Sequence, residues 1–403
     1  MQNIILFDNK DDFGNLLPIT FTRPVSAIRV GITTIREKWE AMLPGSYSVR
    51  HTDFLRDVFP SQECTLDDTL HIRSSLLPSP ELIDAVGSLL PGEMLVDPDG
   101  DTLAFRGCDA RTPDSYNKVT FSGDAKHLRY VFDIFLLNGE ALRQDFRRLT
   151  AGRESNGAPA NNLILGDFTD ADGLPQIFIE EGGCVEGAVL NLREGPVYIG
   201  KNAQIMEGAC VRGGLALCEG ATLRMGAKVY GPTTLGPYCK AGGELSNVVM
   251  IGYSNKSHDG FLGNAVIGEW CNIGAGVNAS NLKNDYSKIR IWNYMQQRFM
   301  RTDLQFCGLI MGDHSKAGVN CMFNTATVLG VGVNVHGSGF PRVFVPSFSE
   351  GSASAGFSDV SLQKFFDIAV RVMDRRNHEI TKSERLLYSR IYEFSQSHKH
   401  HTR

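Results

Sequence analysis

Ile199, Ile205, Val211, Leu217, Leu223, Val229 and Leu235 follow one another at intervals of six without a slip. Four residues after each stand Ala203, Ala209, Leu215, Ala221, Ala227, Thr233 and Cys239, most of them small. A helix repeats every ~3.6 residues and a strand every two, so neither sustains this period from Ile199 to Cys239. A parallel β-helix of hexapeptides does. Each unit of six makes one short flat side and one tight corner. The aliphatic residue points inward and stacks on its equivalents in neighbouring coils. The small residue sits near the corner, where glycine or asparagine supplies unusual backbone angles. The phase resumes at Ile267 and Ile273, then returns at Ile310, Met322 and Val328, with Lys316 as the off-pattern member. The 42 glycines, dense between Gly182 and Gly356, make up about 10 % of the chain against a usual ~7 %. The period calls for a coil but does not give its hand.

Around this core the chain divides into four stretches. Residues 1–150 alternate strand-like runs ("NIILFD", "EMLVD", "TLAFRG") with helix-like ones ("GITTIREKWEAML"), the pattern of an α/β domain. Residues 151–162 read as a polar linker. The coil domain then spans 163–357, and 358–403 is helical, with apolar residues at three and four spacing (Phe366, Ala369, Val370, Met373). That helix is placed to cap the open end of the coil. Two segments are expected to break the repeat, "GYSNKSHDGFLGN" and the basic inserted loop 281–307 with Lys283, Lys288, Arg290, Arg298 and Arg301. Irregular segments carry function more often than regular ones.

The bulk properties exclude several partners. A net charge of −5 over 403 residues gives no global attraction to nucleic acid or anionic lipid. No apolar run approaches the ~18 residues of a membrane span, and the N-terminus lacks the basic start of a signal peptide. Nine cysteines without a C-x-x-C pair imply reduced thiols and a cytoplasmic protein. The terminal "SHKHHTR" reads as a solvated tail rather than a metal site.

"KSHDGFLGNAVIGEWCNIGAGVNASNLKNDYSK", Lys256 to Lys288, resembles the acetyltransferase site of the bifunctional N-acetylglucosamine-1-phosphate uridylyltransferase/glucosamine-1-phosphate acetyltransferase family. It is equally similar to archaeal sugar-1-phosphate nucleotidylyltransferases with the same C-terminal domain. "LIMGDHSKAGVN", residues 309–320, resembles the next coils of that family. The resemblance implies a left-handed β-helix, a homotrimer with clefts between neighbouring prisms, and acetyl-CoA as co-substrate. Residue by residue, it makes His258 the catalytic base and places Asn272 and Asn281 at the acceptor and acetyl-CoA site. The backbone of Ala275 faces the thioester, and Lys283 or Lys288 is the lysine of the following loop. Glu244 lies at the sugar, and Lys316 is assigned to the cofactor side. Phe261 replaces the family's tyrosine, which removes one hydroxyl contact to the acceptor.

The chemistry asks for the same residue types. N-acetylation needs a neutral amine to attack a thioester carbonyl. A histidine, with an ordinary pKa near 6.5, is suited to take the amine's proton and contributes about 10²–10⁴-fold. Asp259 or a backbone carbonyl would fix its tautomer, and an asparagine amide or backbone N–H would hold the oxyanion.

The N-terminal stretch "LLPITFTRPVSAIRVG" resembles the nucleotide-binding segment of sugar-nucleotide pyrophosphorylases, which makes this a degenerate, Rossmann-like nucleotidyltransferase domain. "LFDNKDDFGN" stands in place of the Gly-rich signature, Val25 in place of a lysine, and "LHIRSSLLP" lacks the Mg²⁺-binding aspartate of its counterpart. An active domain would use Asp8, Arg23 and Arg29 with the nucleoside triphosphate and Mg²⁺. In an inactive one Asp8 and Arg23 are an ordinary surface pair. The expectation is thus an enzyme of sugar-nucleotide synthesis that acetylates a hexosamine 1-phosphate and joins a sugar 1-phosphate to UTP or dTTP. Its alternatives are a thymidylyltransferase-like enzyme without acetyl transfer, and a trimeric sugar-phosphate-binding scaffold.

Overall fold

The computed structural model describes residues 2–60, 68–108 and 113–399. The side chains of the 397–403 tail lie outside that description. Two compact units form: Met1–Ile28 with Thr33–Tyr130, and Arg29–Ile32 with Val131–Arg403.

The first unit is a six-stranded mixed sheet. Its strands are β1 (Asn3–Phe7), β2 (Ser46–Arg50), β3 (Leu70–Arg73), β4 (Glu93–Val96), β5 (Thr102–Arg106) and β6 (Asn117–Thr120), in the order β2-β1-β3-β5-β4-β6. β1 runs parallel to β2 and β3, β5 is antiparallel to β3 and β4, and β4 is parallel to β6. β1, β3 and β4 therefore end at one edge, where α/β sheets hold ligands. Helix Ile35–Met42 starts in a capping box between Thr34 and Glu37. It buries Trp39, whose indole N–H donates to the Leu76 carbonyl at 2.9 Å.

The second unit is a parallel β-helix with three faces. The period of six maps onto them directly. Ile199, Leu217 and Leu235 point inward on one face, Ile205 and Leu223 on the next, Val211 and Val229 on the third, all nearly or wholly buried. Eighteen residues thus make one coil. Stacking one aliphatic side chain per face and coil contributes about 1.5–3 kcal/mol each relative to exposure. Ala203, Ala209, Ala221, Ala227 and Cys239 are fully buried beside the corners.

The upper coils shift the reading by one residue. Ile310, Met322 and Val328 pair with the outward Val266, Asn278 and Phe344, so the inward residues there are Met311, Phe323 and Leu329. Lys316 pairs with Asn272 and Asn334 and is a regular outward residue, with Ala317 inward. The apolar residues misled because the outside of that face is itself covered: Trp292 of the inserted segment stacks on Phe344 at 4.2 Å between ring centres.

The domain boundary also moves. Helix Asn138–Thr150 belongs to the coil unit, where Leu142 and Phe146 pack on Phe178, Tyr198 and Ala216. Its Asn138 and Asp145 accept hydrogen bonds from the Gly31 and Ile32 N–H groups at 2.8 Å each. By buried contacts the coil unit takes in the chain from Val131 onward, the polar stretch 151–162 included. The inserted segment 281–307 forms a hairpin, Arg290–Asn293 with Arg298–Arg301. Helix Leu362–Asp374 starts at the Ser361 cap, and its Lys364 meets Glu350 of the coil at 2.6 Å. Among the described residues no helix is long and apolar enough to cross a membrane.

Candidate active site

The segment "GYSNKSHDGFLGN" is not a break. Asn255 and Lys256 form an ordinary rung, paired with Lys240–Ala241 below, with Asn255 facing Asn272 above. The irregularity lies earlier. Eighteen residues separate Leu223 from Ala241 on this face, but only fifteen separate Ala241 from Lys256, because the corner at Gly242-Gly243 is two residues shorter and the next corner, between Leu245 and Met250, one residue shorter. What is unusual in this coil is the residue placed inside it. Lys256 occupies the inward column of Leu223, Ala241 and Ile273 and is fully buried. Burial pushes its ammonium down to about 8, with Asp259 opposing the shift. Its Nζ donates to the carbonyl oxygen of His258.

His258 therefore stands on a corner tied from within. Its side chain is exposed, and among the described residues no hydrogen bond engages its ring. Asp259 belongs to the same corner, and its carbonyl accepts from the Gly276 N–H at 2.9 Å. Among the described residues neither Asp259 nor a backbone carbonyl, the two partners proposed for the imidazole, bonds its ring. Gly260 closes the corner at φ +126°, where an added Cβ would lie 2.1 Å from the Val277 carbonyl oxygen. Glycine is required there.

The other candidates flank this corner or lie away from it. Asn272 is outward on the face leading to it, with its amide oxygen accepting from Asn255 at 2.9 Å. Ser257 extends the chain, donating to the Asn255 amide oxygen at 2.5 Å. Glu244 is half-exposed on the face leading away and pairs in register with Phe261 and Lys228. Ala275 lies on the His258 corner one coil up, its carbonyl accepting from Asn320 at 2.8 Å.

Asn281 stands at a different corner. Its amide donates to Asn264 at 2.8 Å, and with its amide oriented to suit its neighbours Asn247 accepts from Asn264 at 3.1 Å. The three form an asparagine ladder. Lys283 and Lys288 are in the inserted segment. Lys283 reaches Ser287 and lies 3.5 Å from Asp285, while Lys288 donates to the Asp303 carbonyl. Lys283 lines a cavity of about 840 Å³ with Ser280, Arg290, Asn324 and Thr325. Lys316 donates to the carbonyls of Trp270 and His314 at 2.8 Å each, and burial pushes its ammonium down to about 8.

In the first unit, Asp8 follows β1 and accepts from the Val25 N–H at 3.2 Å; burial pushes its carboxyl up to about 7. Arg23 is buried, 5 % exposed, and donates to the Ile19 carbonyl at 3.0 Å, so it is no surface residue. Arg29, which donates to the Ile32 carbonyl, belongs to the coil unit. Residues outside the sequence candidates dominate this edge. Arg73, at the end of β3, forks onto buried Asp12 at 2.6 and 2.7 Å, and Ser75 donates to the same carboxylate at 2.6 Å. Asp97 follows β4, and its carboxylate accepts from the Asp99 and Asp101 N–H groups. Burial and the nearby Arg73 and Arg129 hold the His127 imidazole down near 4. Asp12 is committed to Arg73 and Asp97 to its turn, and among the described residues no three His, Cys, Asp or Glu side chains converge as a cage.

The family model described as "Sugar nucleotidyl transferase" matches residues 4–154. The N-terminal region is sugar-nucleotidyltransferase-like. No curated protein matches the chain. Similar solved structures include the following three. They are the polySia-specific acetyltransferase NeuO (12 % identity, TM-score 0.25, covering 51 % of this chain and 85 % of that one), the polysialic acid O-acetyltransferase OatWY (16 %, 0.25, 50 % and 87 %), and Arabidopsis UDP-N-acetylglucosamine acyltransferase (14 %, 0.22, 57 % and 88 %).

Proposed function

We propose that the coil domain transfers an acetyl group from acetyl-CoA to the amine of a hexosamine 1-phosphate, with His258 as general base. The observation that carries this reading is the exposed His258 side chain on a corner whose backbone is pinned by an interior lysine. A base must be held in place while its ring stays open to substrate, and this arrangement does both. Asn272, Ala275 and Lys316 would hold the thioester co-substrate along one flank, and Glu244 the sugar along the other. Acetyl-CoA supplies the activated acyl group. His258 takes the amine proton as the nitrogen attacks, and the Asn272 amide stabilises the developing oxyanion; the tetrahedral intermediate then collapses with cleavage of the C–S bond, and the coenzyme A thiolate leaves as the thiol on receiving the proton from His258. Asn281, Lys283 and Lys288 stand at another corner, so they would meet substrate bound to a neighbouring copy in a homotrimer.

A second activity, sugar-1-phosphate nucleotidyltransfer from UTP or dTTP, is favoured by the family match over residues 4–154. There Asp8 and Arg23 would act in the first unit. One experiment separates the readings. The protein is incubated with acetyl-CoA and glucosamine 1-phosphate while free thiol is followed, then with UTP and N-acetylglucosamine 1-phosphate while pyrophosphate is followed. Thiol release supports the first reading. Pyrophosphate release alone leaves only the second.

A further inference from the structure

One corner of the coil is built from aromatic residues in the left-handed backbone region: Tyr238, Tyr253, Trp270 and His314, at φ 52° to 59°. Tyr253 stacks on Tyr238 at 5.3 Å and on Trp270 at 4.3 Å. Beside this ladder lies the outward column Lys240, Asn255, Asn272 and Lys316. The end of helix Leu362–Asp374 and the turn after it close the third side. Together they enclose a cavity of about 440 Å³.

Its lining carries four cations, Lys240, Lys316, Arg375 and Arg376, and no carboxylate. Lys316 is already engaged by two carbonyls. Arg376 donates one N–H to the Tyr238 carbonyl at 3.3 Å, which fixes its fork at the cavity wall. Among the described residues no acid forms an ion pair with Lys240, Arg375 or Arg376. Burial, then the like charges of Arg376, Arg224 and Arg375, hold the Lys240 ammonium below its ordinary range. A protein gathers unneutralised cations around a cavity at a cost in self-repulsion, which a bound anion relieves. Guanidinium forks match phosphate oxygens two at a time. The volume falls in the range of small-molecule sites, above what one phosphate fills.

We propose that this cavity binds the diphosphate of a phosphorylated ligand, with Lys240, Arg375 and Arg376 as its charged contacts and the Asn255 amide along its floor. The diphosphate can come from the nucleotide end of coenzyme A or from a nucleoside diphosphate sugar. The site does not depend on any role of His258.

Calorimetric titration of the full chain with inorganic pyrophosphate tests it. The wild type is expected to bind, more weakly as salt rises. Lys240→Gln with Arg375→Gln is expected to weaken binding ten-fold or more. Arg298→Gln, an exposed arginine of the hairpin, and His258→Ala are expected to leave it unchanged. Arg375→Gln alone, at an exposed position, keeps the test valid if the double variant unfolds. Displacement of pyrophosphate by coenzyme A or by a UDP-sugar then identifies the source. No binding by the wild type, or equal binding by the Arg375→Gln chain, overturns the proposal.

Discussion

At the scale of single residues, Lys256 and His258 act as one device. The ammonium lies inside the prism, and the corner it holds carries the imidazole outside. Counting six from Met250 lands on Lys256 and then on Leu262, so the signal was present. A lysine on an interior column reads as an interruption because an ammonium is costly to bury, and only the carbonyl it meets makes the position tolerable. Lys316 misled in the opposite sense, being a regular outward residue taken for an exception. Lys256 also gives a pH signature. Its folded value of about 8 lies below its ordinary 10.5. Between those values the unfolded chain binds more protons, so the contribution to stability rises with pH across the window. Urea unfolding at pH 7.5, 9 and 10 is expected to show wild-type stability climbing relative to Lys256→Met. A constant difference would mean that the lysine is not buried charged. In acetyl transfer, Lys256→Met is expected to lower kcat several-fold while leaving KM within two-fold, as suits a positioning residue.

At the scale of elements, the repeat was legible because the inward residues from Ile199 to Leu235 are all aliphatic and most of the corner residues small. It blurred where the outside of a face is covered, as at Ile310 and Val328, and where a coil is three residues short, as before Lys256. Corner geometry makes a direct test. Gly260→Ala places a methyl against the Val277 carbonyl oxygen at positive φ. It is expected to destabilise the coil by about 1–3 kcal/mol and to reduce acetyl transfer with it. In the first unit the sequence pointed to Asp8 and Arg23, but the strand ends bring Asp12 to Arg73. That pairing links residues sixty-one positions apart, which no local pattern reveals. Arg73→Met leaves the Asp12 carboxylate buried without its partner. It is expected to lower the stability of this unit by about 3–5 kcal/mol, measured by thermal unfolding. A shift below a degree would assign the pair no structural weight.

At the scale of the whole molecule, four residues from near the N-terminus, Arg29–Ile32, are integral to the coil unit. Thr234 donates to the Gly31 carbonyl at 3.0 Å, and Asp145 accepts from the Ile32 N–H. A chain starting at Val131 loses these partners and leaves Asn138 and Asp145 buried with unmet capacity. Its melting midpoint is expected to fall by several degrees, and an unchanged midpoint would show that Arg29–Ile32 contributes nothing. The proposed trimer predicts a sedimentation mass three times the 44.3 kDa of one chain. A monomer at micromolar concentration would remove the role given to Asn281, Lys283 and Lys288. The role of His258 is tested most directly by the rate of thiol release from acetyl-CoA with glucosamine 1-phosphate. Amine-dependent release is expected from the wild type, with a fall in kcat/KM of about 10²–10⁴-fold in His258→Ala and the fold intact by circular dichroism. Turnover by His258→Ala at the wild-type rate would contradict it.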